Sequence, residues 1–302
     1  MDLYSLLSTQ LPAQRLLQNE PMAAHTTFRV GGPAEVLFLP RDEEELRLAV
    51  RLARENGDDV NYIGRGSNLL VRNGGVDGLV ICFGEAFSGI EAEGDTLIAR
   101  AGDTLTHLSN VALERGLSGL EFASGIPGSV GGGMAMNAGA YGGQLSDVVL
   151  WARLMDPATG EALTLPRDEL DMGYRSTRAL KTGALVTQAA FRLVPGDKAE
   201  IKAKMDDFNR RRREKQPLQY PSAGSTFKRP EGHFAGALIE QAGLKGTRLG
   251  GAEVSQLHAG FIINTGSATA RDILDLMALV TRRVYEASGV TLEPEVRIVG
   301  KD

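Results

Sequence analysis

The chain has 302 residues, 42% hydrophobic and 24% charged, so it is long enough for two or three domains with sizeable cores and is not a disordered polymer. A net charge of −5 argues against nucleic acid as a default partner, and a single cysteine, Cys82, excludes an internal disulfide or a cysteine-based metal cluster and fits a reducing compartment. Residues 1–18 lack the basic start and cleavage site of a signal peptide, and the uncharged stretch 122–146 has too few Leu, Ile, Val and Phe to span a bilayer, so a cytoplasmic protein with no membrane partner is expected.

Helix and strand signals then alternate. Residues 42–56 predict an amphipathic helix: acids at its start, Leu46, Ala49, Val50 and Ala53 on one face, and Gly57 as its stop. Strands are predicted at 60–63, 79–83 and 96–101, with Cys82 buried and inert in the second of these. A helix follows at 104–115, stopped by Gly116, and then strands at 148–155 and 185–193 around a DPATG turn. A charged helix over 199–215 carries Arg210, Arg211, Arg212 and Arg213, whose run reads as a solvated, dipole-complementing face rather than a nucleic-acid patch. The last third predicts a short helix (235–242), a strand (261–263) and a strong helix over 269–287, capped by Ser267 and stopped by Gly289. A domain boundary is expected at Pro195, Gly196 and Asp197, where strands give way to helices.

The chemistry lies in two glycine loops, "GRGSNLLV" from Gly64 and "GIPGSVGG" from Gly125. No G-x-G-x-x-G, P-loop or G-x-S-x-G motif is present, and His25, His107, His233 and His258 are scattered without zinc-like spacing. Each loop places a serine beside glycines and can offer consecutive backbone N–H groups to phosphate oxygens without a lysine. Two such loops could hold a dinucleotide, a cofactor that brings its own chemistry.

These loops belong to a longer series: "TTFRVGGPAE", "GRGSNLLV", "GLEFASGIPGSVGG…MNAGAYGG", "GYRST", "RRREKQP", "AGSTFK", "GLKG…GGAEVS…HAGFIIN" and "LEPEVRIVG", in that order. From about Thr26 to Gly300 the chain resembles the UDP-N-acetylenolpyruvoylglucosamine reductase family, flavoenzymes of bacterial peptidoglycan synthesis. It is similar to the shorter subclass without a substrate-covering tyrosine loop. The family often has Asn where His25 and Arg229 stand and Lys at Leu257, and "GGGMAMN" varies its usual form.

The resemblance implies an α+β chain: a two-part FAD-binding fold of the vanillyl-alcohol oxidase type (1–80 and 81–196) and a C-terminal α/β domain for the UDP-sugar (197–302), whose last strand returns to the active site. It implies non-covalent FAD held by Gly64, Arg65, Gly66, Ser67, Asn68, Leu69, Gly125, Ile126, Pro127, Gly128, Ser129, Gly132, Asn137 and Ala138, with NADPH as electron donor. Substrate, UDP-N-acetylglucosamine enolpyruvate, would meet Tyr141, Arg213, Lys228 and Arg297. Arg175, Ser225 and Glu295 would be catalytic. Hydride addition to an enol ether conjugated to a carboxylate builds negative charge, so a cation, hydrogen-bonding groups and an acid are the residue types required. Two other readings use the same loops. One is a related non-covalent FAD-linked oxidase, acting on a different substrate and passing electrons to oxygen; its covalent branch usually carries a histidine in the first loop, which residues 64–71 lack. The other is a non-catalytic nucleotide-sugar binder, which would not need Arg175, Ser225 and Glu295 together.

Overall fold

In the computed structural model, which describes residues 1–302, the chain forms two compact units: Met1–Gln18, Val36–Arg65 and Gly78–Arg212, and Asn19–Glu35, Gly66–Asp77 and Arg213–Asp302.

In the first unit the Glu43–Asn56 helix is stopped at both ends as its sequence dictates. The Asp42 carboxylate accepts from the Glu45 N–H, and Gly57 turns left-handed at φ 89°. Its buried Leu46, Ala49, Val50 and Ala53 join Phe38, Leu79 and Ile81 in one core. There Val60–Ile63 pairs parallel with residues 79–82. A second core lies on a five-stranded antiparallel sheet, in the order Ala162–Pro166, Val149–Met155, Leu185–Arg192, Thr96–Arg100, Ile90–Glu93. The Leu105–Arg115 helix, capped by Thr104 and closed by Gly116, contributes Leu105, Leu108 and Ala112 to that core.

The second unit is built on the antiparallel strands Arg248–Leu249, Ala252–Val254 and Ile262–Asn264. The Ala270–Ser288 helix buries Ile273, Leu276, Met277, Val280 and Val284 in their core. Its cap is Thr269, not Ser267. The Thr269 hydroxyl accepts from the Asp272 N–H (3.1 Å) while Asp272 accepts from the Thr269 N–H (2.9 Å), a reciprocal box that places the cap two residues later. The last strand, Arg297–Val299, runs parallel to Leu69–Val71, which follows the first glycine loop.

The change between the two compact units falls at Arg212 and Arg213, inside the Lys198–Lys215 helix. Phe208 of that helix packs on the core of the five-stranded sheet. No helix is long and apolar enough to cross a membrane.

Glu43 joins helix to sheet, its carboxylate accepting from Arg153 Nε (2.8 Å) and the Thr187 hydroxyl (2.6 Å). Burial pushes its pKa up, but the bonds from Arg153 and Thr187 and the Arg153 charge outweigh burial and hold it below the usual value. A carboxyl depressed by folding stabilises the fold above its unfolded-state pKa, and that contribution is lost as pH falls through the folded value. Glu43→Gln should therefore lower stability at neutral pH by about 1 kcal/mol, a figure kept small because the pair is partly exposed. Urea midpoints of parent and variant should converge on acidification; a gap that persists at acid pH would show that the ionised carboxylate is not what stabilises.

Candidate active site and dinucleotide cradle

Both glycine loops are places where the backbone approaches a neighbour too closely for a side chain. A Cβ on Gly64 would lie 2.1 Å from Ser129 Oγ, so the two loops meet only because residue 64 is glycine. Ser129 is fixed there, since its hydroxyl accepts from the Gly132 N–H (3.2 Å) at the start of Val130–Ala135. The Val130 and Gly131 N–H groups donate to the carbonyls of Asp103 (2.7 Å) and Ala101 (2.9 Å), while Gly128 O accepts from the Leu105 N–H. The expected row of ligand-facing N–H groups is thus partly engaged in anchoring the loop. Gly132 is exposed, and a Cβ there would touch only Ser129 Oγ at 3.3 Å. This open backbone fits close approach of a dinucleotide.

Ile126 and Ala138 pack against the core, Pro127 is exposed, and Gly125 lies under Asn209 and Arg212. Cys82, buried behind Gly64, donates weakly to its carbonyl (3.9 Å), and desolvation pushes its thiol up to about 11, which makes it inert.

In the second unit Gly66 is left-handed (φ 59°), and its carbonyl accepts from the Thr27 N–H (3.2 Å). The Asn68 side chain donates to the Glu295 carbonyl (3.0 Å), and the Asn68 carbonyl accepts from the Arg297 N–H (3.0 Å). Ser67 is half-buried and Leu69 buried beside it, while Arg65, the last residue of its segment of the first unit, is exposed. The Glu295 N–H donates to Thr226 O (2.8 Å), and the Lys228 N–H donates to Glu293 O (2.8 Å). Ser225 and Glu295, far apart in sequence, therefore stand on adjoining segments. Ser225 is exposed between left-handed Gly224 (φ 74°) and Thr226, which is fully buried. Glu295 is half-buried. Lys228 pairs with Glu293 (3.1 Å), and Arg213 and Arg297 are exposed.

Arg175 occupies a tight turn closed by the Gly173 N–H donating to Ser176 O (2.8 Å). Its φ is +51°, a conformation costing a non-glycine residue about 1–2 kcal/mol, and one that recurs at functional sites. Its guanidinium donates to the carbonyls of Asn137 (3.4 Å) and Gly139 (3.5 Å). Asn137, also left-handed and 1% exposed, clamps the same turn from below. Its amide donates to Gly173 O (3.0 Å), and its oxygen accepts from the Ser146 N–H (2.9 Å). Tyr141, at φ +54°, tips the hairpin of residues 139–144 and stacks on Phe208, ring centres 4.7 Å apart and planes 6° from parallel. Phe208 lies outside the ordered motifs, and Arg212 enters them only as one arginine of "RRREKQP". Their signal is the spacing of Ile201, Met205, Phe208 and Arg212 along one stripe of a highly charged helix.

The comparisons fit this geometry. A family model described as an FAD binding domain matches residues 34–166, and one described as UDP-N-acetylenolpyruvoylglucosamine reductase, C-terminal domain, matches 216–299. The chain is 48% identical over 99% of its length to UDP-N-acetylenolpyruvoylglucosamine reductase of Alkaliphilus oremlandii, covering 98% of that protein. It is also 48% identical over its whole length to the Clostridium novyi reductase, again covering 98%. It resembles the crystal structure of the Thermus caldophilus enzyme with a TM-score of 0.79 at 37% identity, covering 94% of this chain and 97% of that one. Cradle and matches define an FAD-binding oxidoreductase. The chain belongs to the UDP-N-acetylenolpyruvoylglucosamine reductase family.

The cradle predicts a contrast between two glycines. Gly142→Ala, at φ 89° with nothing within 4 Å of the new Cβ, should cost about 1–2 kcal/mol from the backbone alone. Gly66→Ala places a Cβ 2.1 Å from the His25 carbonyl oxygen, which cannot move without its chain. Its melting temperature and flavin content per chain should both fall well below those of Gly142→Ala; equal losses would mean that close approach at Gly66 is unimportant.

Proposed function

We propose that the protein reduces the enolpyruvyl ether of UDP-N-acetylglucosamine enolpyruvate to UDP-N-acetylmuramate, a cytoplasmic step of peptidoglycan precursor synthesis. The observation that carries the reading is the pairing of the Ser225 and Glu295 segments through the Glu295 N–H and Thr226 carbonyl, in a chain of this family. It brings side by side the two backbone segments that carry the hydroxyl and the carboxylate. Bound FAD, reduced by NADPH, supplies the hydride delivered to the substrate β-carbon. The loops at 64–69 and 125–138 hold the dinucleotide within residues 1–196, and the C-terminal residues 197–302 supply most contacts to the UDP-sugar.

The chain's own residues manage charge and protons. Arg175 places positive charge near the substrate carboxylate, where electron density collects as the β-carbon is reduced. Glu295 accepts a hydrogen bond that fixes the enolic group. Ser225 donates its proton to the α-carbon, completing the saturated ether. A serine hydroxyl is a poor acid in water, so it acts here inside a charge-stabilised site. Lys228 and Tyr141 meet the diphosphate, with Lys228 exchanging its Glu293 partner for phosphate oxygens.

Arg175→Ala and Glu295→Ala should leave flavin reduction by NADPH nearly intact but slow substrate reduction in single turnover by about 10²–10³. Near-parental rates in either variant remove that residue from the mechanism. Ser225→Ala should bind FAD, oxidise NADPH and bind substrate, yet reoxidise its reduced flavin slowly with substrate. Ser225→Cys should retain partial activity, since a thiol with an ordinary pKa of about 8.5 still donates. Undiminished steady-state turnover by Ser225→Ala would assign the proton to another group or to water.

A further inference from the structure

We infer that His258 is a positioning residue for proton transfer by Ser225, its neutral ring fixing the Gly260 peptide and that peptide fixing the segment that carries Ser225. The inference rests on the reading above for the role of Ser225. It starts from a hydrogen bond of defined polarity. The Gly260 N–H donates to His258 Nδ1 (3.1 Å), so that nitrogen carries no proton and the neutral ring keeps its hydrogen on Nε2. Gly260 passes the constraint on: its carbonyl accepts from the Thr226 N–H (2.8 Å), while Thr226 Oγ1 accepts from the Ile262 N–H (3.0 Å). Thr226 is fully buried and follows Ser225 directly, and its own carbonyl takes the Glu295 N–H (2.8 Å). One imidazole thus stands at the end of a chain of backbone bonds that reaches both segments proposed for the substrate chemistry.

The ring is held in place from several directions. The Ser255 hydroxyl accepts from the Leu257 and His258 N–H groups (3.2 and 3.3 Å), and Phe261 meets the imidazole edge-on with ring centres 5.0 Å apart. A Cβ on Gly236, in the Ala235–Gln241 helix, would lie 3.3 Å from His258 Cε1, and one on Gly260 would lie 3.0 Å from the same atom. Glycine at both positions leaves the ring its slot. The charged groups facing it are Glu240, on that helix, and Lys245, just after it, and these two pair with each other (2.7 Å). Burial lowers the His258 pKa from its ordinary value and Lys245 acts in the same direction, against hydrogen bonding to its own backbone and the Glu240 charge. At neutral pH the ring is therefore unprotonated and able to accept. A proton arriving at Nδ1 sets two donors against each other and releases the Gly260 peptide.

The test uses FAD-loaded enzyme, reduced by NADPH and then mixed with UDP-N-acetylglucosamine enolpyruvate, so that flavin reoxidation reports the substrate half-reaction alone. His258→Leu keeps bulk without an acceptor. It should slow reoxidation by about 10- to 100-fold, the cost of a displaced reacting group, with flavin reduction by NADPH within about twofold of the parent. In His258→Asn the side-chain oxygen takes the place of Nδ1, because Asn bonds the N–H two residues on, and it does not titrate. This variant should recover most of the loss. The ratio of parental to His258→Asn rates should fall as pH drops below about 6.5 and the imidazole gains its proton. The inference is overturned by a parental rate in His258→Leu, by equal slowing in both variants, or by a ratio that stays flat with pH. The parent alone gives a further reading that depends on no variant. In its amide NMR spectrum Gly260, Thr226 and Ser225 should shift together at the midpoint of the His258 ring titration; shifts confined to Gly260, or none, also overturn it. A parent that fails to reduce the substrate would overturn the proposed reaction, while the amide titration still decides whether His258 holds this segment.

Discussion

The attachment of the last strand to the first glycine loop is the constraint on which much of the second unit's chemistry depends. Asn68 holds it from both ends, donating through its side chain to the Glu295 carbonyl and accepting through its backbone from the Arg297 N–H. Glu295 in turn donates to Thr226, next to Ser225. A residue expected to serve the cofactor therefore also anchors the backbone of Glu295 and, through one further hydrogen bond, the backbone beside Ser225, the two residues proposed for the substrate chemistry. Each bond is worth only about 1 kcal/mol net, but leaving its buried partner unpaired costs more, so the geometry is held more firmly than the single values imply.

The first unit meets its own demand by another route. Asn137, Tyr141 and Arg175 all have left-handed backbones without being glycine. Around them Asn137 bonds Gly173 and Ser146, Thr177 donates to Ala135 O (2.7 Å), and Tyr141 lies on Phe208. Packing and hydrogen bonds there offset a backbone cost of about 1–2 kcal/mol per residue. What they secure is a fixed direction for two side chains, Arg175 and Tyr141, that a relaxed turn would leave mobile.

Elements whose cause is local were legible in the sequence. The Glu43–Asn56 helix is specified by Asp42, its apolar stripe and Gly57, and the Leu105–Arg115 helix by Thr104 and Gly116. The cap at Thr269 was harder, because Ser267 is also a good capping residue and only the reciprocal bond with Asp272 decides between them. Composition changes at 195–197, whereas Cα packing keeps the chain with the first unit as far as Arg212, Phe208 lying against the core of the five-stranded sheet. Ser225, Glu295 and Arg175 stood out through ordered motifs; nothing local marks any of the three. The contact of Gly125 with Arg212 and the Tyr141 stack join residues remote in sequence, and no window of periodicity contains both partners.

The pairing of Arg297–Val299 with Leu69–Val71 also bears on how the molecule comes into being. Asn68 and Glu295 are separated by 227 positions, so the first glycine loop is synthesised long before the residue that completes its surroundings exists. On a ribosome adding about 5–20 residues per second, that interval is on the order of ten seconds or more. During it Leu69–Val71, three buried residues in the finished fold, has no partner strand to pair with. The Glu43–Asn56 helix and the five-stranded sheet can form meanwhile from contacts already made, but the second unit's site must wait for the end of the chain.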